Sequence, residues 1–580
     1  MRGLTAQTAL AATAALLGPS LPSPVHAAWS DYPAHNRTSV SCPDYNEYSK
    51  SPHGTPSSGP LKLPDMRPSP ECRTFNSSAV EKVISDMQSR LKDPDMARLF
   101  ANTFPSTLDT TVKYFDPDKN LAFIITGVSL RVVVDEPLAI KRSELISCSA
   151  QWLRDTGNQF AHLYKLLPQD PNLQALVKAV INTESRYIAK YPYCGAFQPP
   201  PESGLKPSIN DWAVNVEVNP PVDNNTVFEC KYELDSLAGF LKISRSYYAN
   251  TNDTSFMNDN WQSAMNAIMT TIHGQSQSTW TDDWQYVSYY NWTGTPGALS
   301  PMVPNKGNGE PKKANGLVAS SHRPSDDLCV FSTCPLPLPT IFPFLSLSSW
   351  MTRNKSHLRA TLTRAPAGFI TSDNAMMSVE LDHIADMLDA TAQSRDLSKR
   401  ARGYAATIRD AVWNTTRTLG GDVFAYETNG YGGYYVMDDA NVPSLASLPY
   451  LGFLDRNDST YVATKKHLYS RLNPYYAEGA SFSGIGGPHV DPMHPWPMSQ
   501  VSAIYGSDDD DEIRRRLDVI LKGTNGLGLI HESVSISNAS DYSRPWFAWA
   551  NSYFAEMLLD LAARKPALIF SDATPYTVGM

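Results

Sequence analysis

Apolar residues recur at helical spacing along almost the whole of this chain, and alternating runs are few and short. Val80, Val83, Ile84, Met87 and Leu91 share one face. So do Leu173, Leu176, Val177, Val180 and Ile181; Leu381, Ile384, Ala385 and Leu388; Tyr404, Ile408 and Val412; and Ile513, Leu517, Ile520 and Leu521. A last stripe runs through Trp546, Trp549, Ala550, Tyr553, Phe554, Met557, Leu558 and Leu561. Long segments carrying Pro, Gly and Asn separate these stretches. The pattern predicts a mostly α chain with long loops. No change of composition divides it, and one large domain is expected, because ring-like barrels exceed the usual domain size.

Composition narrows the function classes. The chain has 580 residues, a formal net charge of −9 and 42% hydrophobic residues, which supports a large core and not a disordered chain. No basic cluster is present to neutralise phosphates, so no nucleic-acid partner is expected. Trp and Tyr are abundant, at 12 and 28; such rings suit sugar faces and protein cores equally well. Arg2, the apolar run Ala9–Leu17 and the small-residue site Val25-His26-Ala27 read as a signal peptide over residues 1–27. The expectation is a secreted protein. No later apolar stretch reaches the roughly 18 residues of a membrane span, so no membrane association is expected.

Nine N-x-Ser/Thr sequons, at Asn36, Asn76, Asn224, Asn252, Asn291, Asn354, Asn414, Asn457 and Asn538, agree with secretion. Seven cysteines leave at least one over if the rest pair, and Cys42 with Cys72 would staple the N-terminal arm. That arm, residues 28–75, is rich in Pro, Ser and Asn and reads as an extended surface segment. The main domain is expected over 76–565. The tail is expected over 566–580, and Phe570 to Met580 has no apolar segment suited to a lipid anchor.

Polar motifs sit between the helical stretches. They are Gln151-Trp152-Leu153-Arg154-Asp155, Lys231-Tyr232-Glu233-Leu234-Asp235-Ser236, Arg323-Pro324-Ser325-Asp326-Asp327, Met437-Asp438-Asp439-Ala440-Asn441, His494-Pro495-Trp496-Pro497 and His531-Glu532-Ser533. Taken singly, each Asp suits a helix cap as well as a catalyst. Ser543 suits an N-cap, with Pro545 in the first turn of the terminal helix. The Asp508–Glu512 run suits a solvated helix start. HESVS lacks the second His of the zinc motif HExxH.

In their order, WLRD, KYELDSL, RPSDD, MDDANVPSL, PYLG, NPYY, and HES followed by SRPWFAWAN resemble glycoside hydrolase family 125, the exo-α-1,6-mannosidases. They span about Thr107 to Leu561. The resemblance implies an (α/α)6 barrel with its active site among the loops at one end. It also implies inverting hydrolysis of oligosaccharide or mannan, with no metal or cofactor. Inversion needs a protonated carboxyl for the leaving oxygen and a carboxylate that activates water, roughly 6.5–9.5 Å apart. Carried over by motif, Asp326 is the acid and Glu532 the base. Arg323, Asp327 and His531 would orient them, and Arg154 and Asp155 would grip hydroxyls of the terminal mannose. Asp235 and Asn441 are candidates for the same pocket, with loop capping as the alternative for Asp235 and for Asp438. Asp326 is expected to have a raised pKa, as a general acid requires.

Two segments depart from the family pattern, at about 128–148 and 332–368. The second opens on the apolar, Pro-rich CPLPLPTIFPFLSLSSWM, unlike an exposed loop. Both read as translated non-coding sequence, and tryptic peptides from within 332–368 would overturn that reading. Two alternatives stay open: another (α/α)6 exo-glycosidase of glucoamylase type, and a carbohydrate-binding homologue whose catalytic geometry the segments have spoiled.

Overall fold

A computed structural model describes residues 41–127, 150–208, 216–293, 311–324, 367–418, 420–488 and 491–579. The signal peptide, Asn36, Asn354, Asp326, Asp327, Cys148, Cys329, Cys334 and nearly all of the two atypical segments lie outside them.

Among the described residues, twelve helices carry the architecture: α1 Ser78–Arg90, α2 Pro94–Thr103, α3 Leu153–Gln159, α4 Pro171–Lys190, α5 Leu234–Thr251, α6 Asp259–Gln275, α7 Thr371–Ala390, α8 Arg395–Thr415, α9 Ser459–Leu468, α10 Pro497–Tyr505, α11 Asp510–Gly523 and α12 Ala548–Arg564. They form two concentric rings, an all-α (α/α)6 barrel. The inner helices α3, α5, α7, α10 and α12 are buried on nearly every side in their first turns. The remaining inner place is taken by the turn-rich stretch around 444–453. Its Tyr450 hydroxyl accepts from Lys242 of α5 at 2.7 Å and donates to Glu556 of α12 at 2.8 Å. Outer helices bury a single face, as amphipathic helices should: α11 buries Ile513, Leu517, Ile520 and Leu521 and α8 buries Leu397, Ala401, Ile408 and Val412. The α11 face is the one expected from the sequence; on α8, Ile408 and Val412 are buried as expected and Tyr404 only in part.

The two rings differ in how their helices begin. Each outer helix is capped by its own side chain: Ser77, Asp93, Asp170, Asn258, Ser394, Asp458 and Asp509 accept from first-turn amides of α1, α2, α4, α6, α8, α9 and α11. None of the five inner helices has a side-chain cap. Neighbouring loops satisfy their first amides instead. Leu153 N–H donates to Gly195 O, Thr371 N–H to Tyr426 O and Ala548 N–H to Thr126 O. Leu234 N–H donates to the Ser320 hydroxyl. The inner helices thus begin against the loops of one barrel end, where their positive dipole ends favour carboxylates.

Short antiparallel ladders brace that end. Gln151–Trp152 pairs with Ala196–Phe197, which pairs with Val227–Glu229. Phe369–Ile370 pairs with Glu427–Thr428, and Ser533–Val534 pairs with Tyr542–Ser543. The arm is anchored more firmly than a surface segment: Leu63 and Met66 are fully buried. Asn102 of α2 holds it, accepting from Met66 N–H and donating to Pro64 O and Gly528 O. Disulfides join Cys42 to Cys72, as expected, and Cys194 to Cys230.

Candidate active site

The site begins where α3 crosses α5. A Cβ placed on Gly157 would lie 2.6 Å from the Gly239 carbonyl oxygen, so only glycine lets the two backbones come this close. The contact brings together the first turns that carry Arg154 and Asp235. Arg154 is fully buried, with Nη1 2.6 Å from Glu233 Oε2 and 3.4 Å from Asp235 Oδ2, and Nε 3.7 Å from Asp155 Oδ1. Its guanidinium also lies 5.6 Å from the ring centroid of Trp549, in the first turn of α12. One cation therefore serves three buried carboxyls.

A second limb is built on Arg323. Its Nε donates to Glu427 Oε1 in a short contact, and Glu427 Oε2 accepts from Ala367 N–H at 3.3 Å. Asn441 fixes the loop beyond: its Nδ2 donates to Pro324 O and to Asp439 Oδ1, each at 3.0 Å. The chain leading into Asp326 is therefore held two residues upstream, although Asp326 and Asp327 lie outside the described residues. Asp438 is a cap. Its carboxylate accepts from Leu445 and Ala446 N–H, both at 2.9 Å. For this residue the capping alternative holds, whereas Asp235 joins the Arg154 cluster.

Glu532 stands on the third limb. Its Oε2 accepts from the Ser543 hydroxyl at 2.6 Å, and Arg544 Nε lies 3.2 Å from Oε1. This corrects the expected role of Ser543 as a helix N-cap. The pairing Ser533↔Ser543 draws Ser543 into a ladder, and α12 starts only at Ala548, beyond Pro545. Arg544 adopts a φ of +39°, a conformation that L residues rarely hold, and its buried guanidinium sits 5.4 Å from the Phe547 ring. His531 lies flat on Tyr542, centroids 3.9 Å apart, with Nε2 3.1 Å from Thr524 O. Asn551 of α12 clamps the loop by accepting from Ile530 N–H and donating to Ile530 O. The Glu532 loop and the Trp549–Arg154 contact therefore rest on the same two turns of α12.

Electrostatics link the limbs. Asp373, in the first turn of α7, is buried and has a pKa well above the carboxylate range. Burial is the main cause, Asp235 and Glu233 add to it, and Arg154 opposes it. The helix end would favour its anion by about 0.3–1 kcal/mol. Taking an ion out of water costs several kcal/mol, so desolvation wins. Glu233 and Asp235 are shifted upward by burial too, against the pull of Arg154. Asp439 is pushed up to about 6 by burial, against hydrogen bonds from Asn441 and the charges of Arg323 and Arg154. Several buried polar atoms here have no hydrogen-bond partner among the described residues: Asp235 Oδ1, Asp373 Oδ2, the Tyr232 and Tyr426 hydroxyls and Trp549 Nε1. Buried polar groups are normally satisfied. A set of unsatisfied donors and acceptors in one place suits a ligand that offers many of both, as a sugar does.

Of the residues singled out in the sequence, Arg154, Asp155 and Asp235 meet in one cluster. Arg323 and Asn441 meet in a second, and Glu532 and His531 share a loop. Glu233, Asp373, Glu427, Asp439 and Arg544 were not singled out. Glu233, Asp439 and Arg544 lie inside quoted motifs, whereas nothing in the sequence around Glu427 marks it.

The family model of the metal-independent α-mannosidases, glycoside hydrolase family 125, matches residues 93–338 and 351–559. This chain belongs to glycoside hydrolase family 125. A relative from Schizosaccharomyces pombe, the meiotically up-regulated gene 157 protein, is 39% identical over 542 residues, covering 92% of this chain and 95% of the relative. A solved Streptococcus pneumoniae structure, described as a metal-independent α-mannosidase in a non-productive complex with α-1,6-mannobiose, matches with a TM-score of 0.66. At 22% identity it covers 84% of this chain and 98% of that one, and it shares the fold. The break in the family match, between 338 and 351, falls inside the second atypical segment. No helix among the described residues is long and apolar enough to cross a membrane.

Proposed function

We propose that this family 125 glycoside hydrolase is a secreted, exo-acting, inverting α-1,6-mannosidase that removes terminal mannose from mannan or N-glycan chains. Asp326 is the general acid and Glu532 the general base. The unsatisfied polar atoms around Arg154, Asp235 and Asp373 carry the reading, because a polyhydroxylated ring offers them both donors and acceptors. Arg544 and Ser543 orient the Glu532 carboxylate from two sides, as a base that must aim a water requires. Arg154 and Asp155 grip hydroxyls of the terminal residue, while Arg323, Asp327 and His531 hold the acid and base in place. Asn441 fixes the loop that carries the acid.

A panel of disaccharides tests the specificity. Mannose release from α-1,6-mannobiose, unchanged by EDTA, is expected. Strong inhibition by EDTA, or faster cleavage of maltose, would overturn it. Binding of α-1,6-mannobiose without any cleavage would point instead to a carbohydrate-binding homologue. Ser543→Ala removes the hydroxyl donor to Glu532, so steady-state kinetics should show kcat/KM falling about 10-fold, the equivalent of one lost hydrogen bond to a charged group.

A further inference from the structure

Asp373 differs from the other described carboxyls of this site. Arg154 lies beside Glu233, Asp235 and Asp155. Arg323 pairs with Glu427, Asn441 amides donate to Asp439, and Arg544 lies against Glu532. Asp373 has no cation and no N–H in contact among the described residues. Its Oδ1 meets only the Ser372 hydroxyl, at 3.5 Å, and its Oδ2 has no partner, although the side chain is fully buried. The charges nearest to it are mostly of its own sign: Asp235 and Glu233 at the start of α5 and Glu427 on the neighbouring ladder, against Arg154 alone. A carboxyl in this position keeps its proton, because its buried anion would have no cation and no N–H in contact among the described residues. A buried acid O–H needs an acceptor, and the described residues offer none but the Ser372 hydroxyl at 3.5 Å.

We propose that Asp373 is a sugar-binding donor, standing in the pocket as the neutral carboxylic acid and giving its O–H to an oxygen of the bound glycosyl residue. The inference rests on the reading of this site as a glycoside pocket. It goes beyond that reading by assigning a residue, a protonation state and a direction of hydrogen bonding. A neutral acid and an amide have nearly the same shape and both donate, so asparagine is a close replacement, which it never is for a working carboxylate.

Kinetics on α-1,6-mannobiose and infrared spectroscopy of the whole enzyme test this together. Asp373→Asn should lose no more than about 10-fold in kcat/KM, while Asp373→Ala loses about 100-fold, mostly through KM. At neutral pH the spectrum of the parent minus that of Asp373→Asn should show one protonated-carboxyl band, missing from the parent minus Glu532→Gln, with the other buried acids cancelling in each subtraction. Asparagine as damaging as alanine, or no such band in the parent minus Asp373→Asn, would overturn the proposal. A parent that cleaves no mannoside but shows the Asp373 band would refute the substrate reading and leave the protonation state standing.

Discussion

Glu532→Gln should lower kcat on α-1,6-mannobiose by about 10²–10⁴-fold, the range that a positioned general base contributes, and leave KM nearly unchanged. A loss of that size is about 3–5 kcal/mol of transition-state stabilisation. The fold should survive. Glutamine keeps an oxygen that can accept from Ser543, and the ladder Ser533–Val534 with Tyr542–Ser543 is held by backbone bonds and the Asn551 clamp. A thermal melt within a few degrees of the parent therefore accompanies the expected result. If kcat and melting temperature fell together, Glu532 would instead be a structural anchor for Arg544.

Arg154→Leu is expected to damage the fold itself. It leaves Glu233, Asp235 and Asp155 buried without their cation. Breaking a buried pair by removing one partner costs about 3–5 kcal/mol, read as a lower urea midpoint. The cost should grow with pH. Arg154 pulls the pKa values of Glu233 and Asp235 down against their burial. Without it, the folded chain holds these protons to still higher pH, whereas the unfolded chain releases them near pH 4. The parent already holds the Glu233 proton up to about pH 8, so the variant binds more protons than the parent only above that, and its stability deficit widens there. A deficit at pH 9 no larger than at pH 6 would mean that Arg154 is not the counter-charge of the cluster.

The helix faces were legible in the sequence because apolar periodicity records burial directly. Val80, Val83, Ile84 and Met87 lie where the pattern put them. Which helices are inner was not legible, since that depends on contacts around the ring. One clue lies in the caps: a Ser, Asp or Asn precedes each outer helix, whereas Trp152, Glu233, Ile370, Trp496 and Phe547 precede the inner ones. Ser543 misled because a serine two residues before a proline is a good local cap, while the pairing with Ser533 that claims it is tertiary. Asp438 and Asp439 are adjacent in sequence, and only the fold gives the cap to one and Asn441 to the other. Glu427 meets Arg323 across 104 residues, which no local pattern encodes. Asp373 reads in sequence as an ordinary acid in a first helical turn, and its isolation becomes visible only once its neighbours are placed.

The decisive measurement is proton NMR of the first product released from α-1,6-mannobiose by the purified protein, followed before the sugar anomers equilibrate. β-Mannose appearing first, and no mannose from Glu532→Gln, is the expected result: one displacement by a water that Glu532 activates. α-Mannose appearing first would mean a retaining mechanism. No mannose from a folded parent would mean that this chain keeps the family's barrel without its reaction.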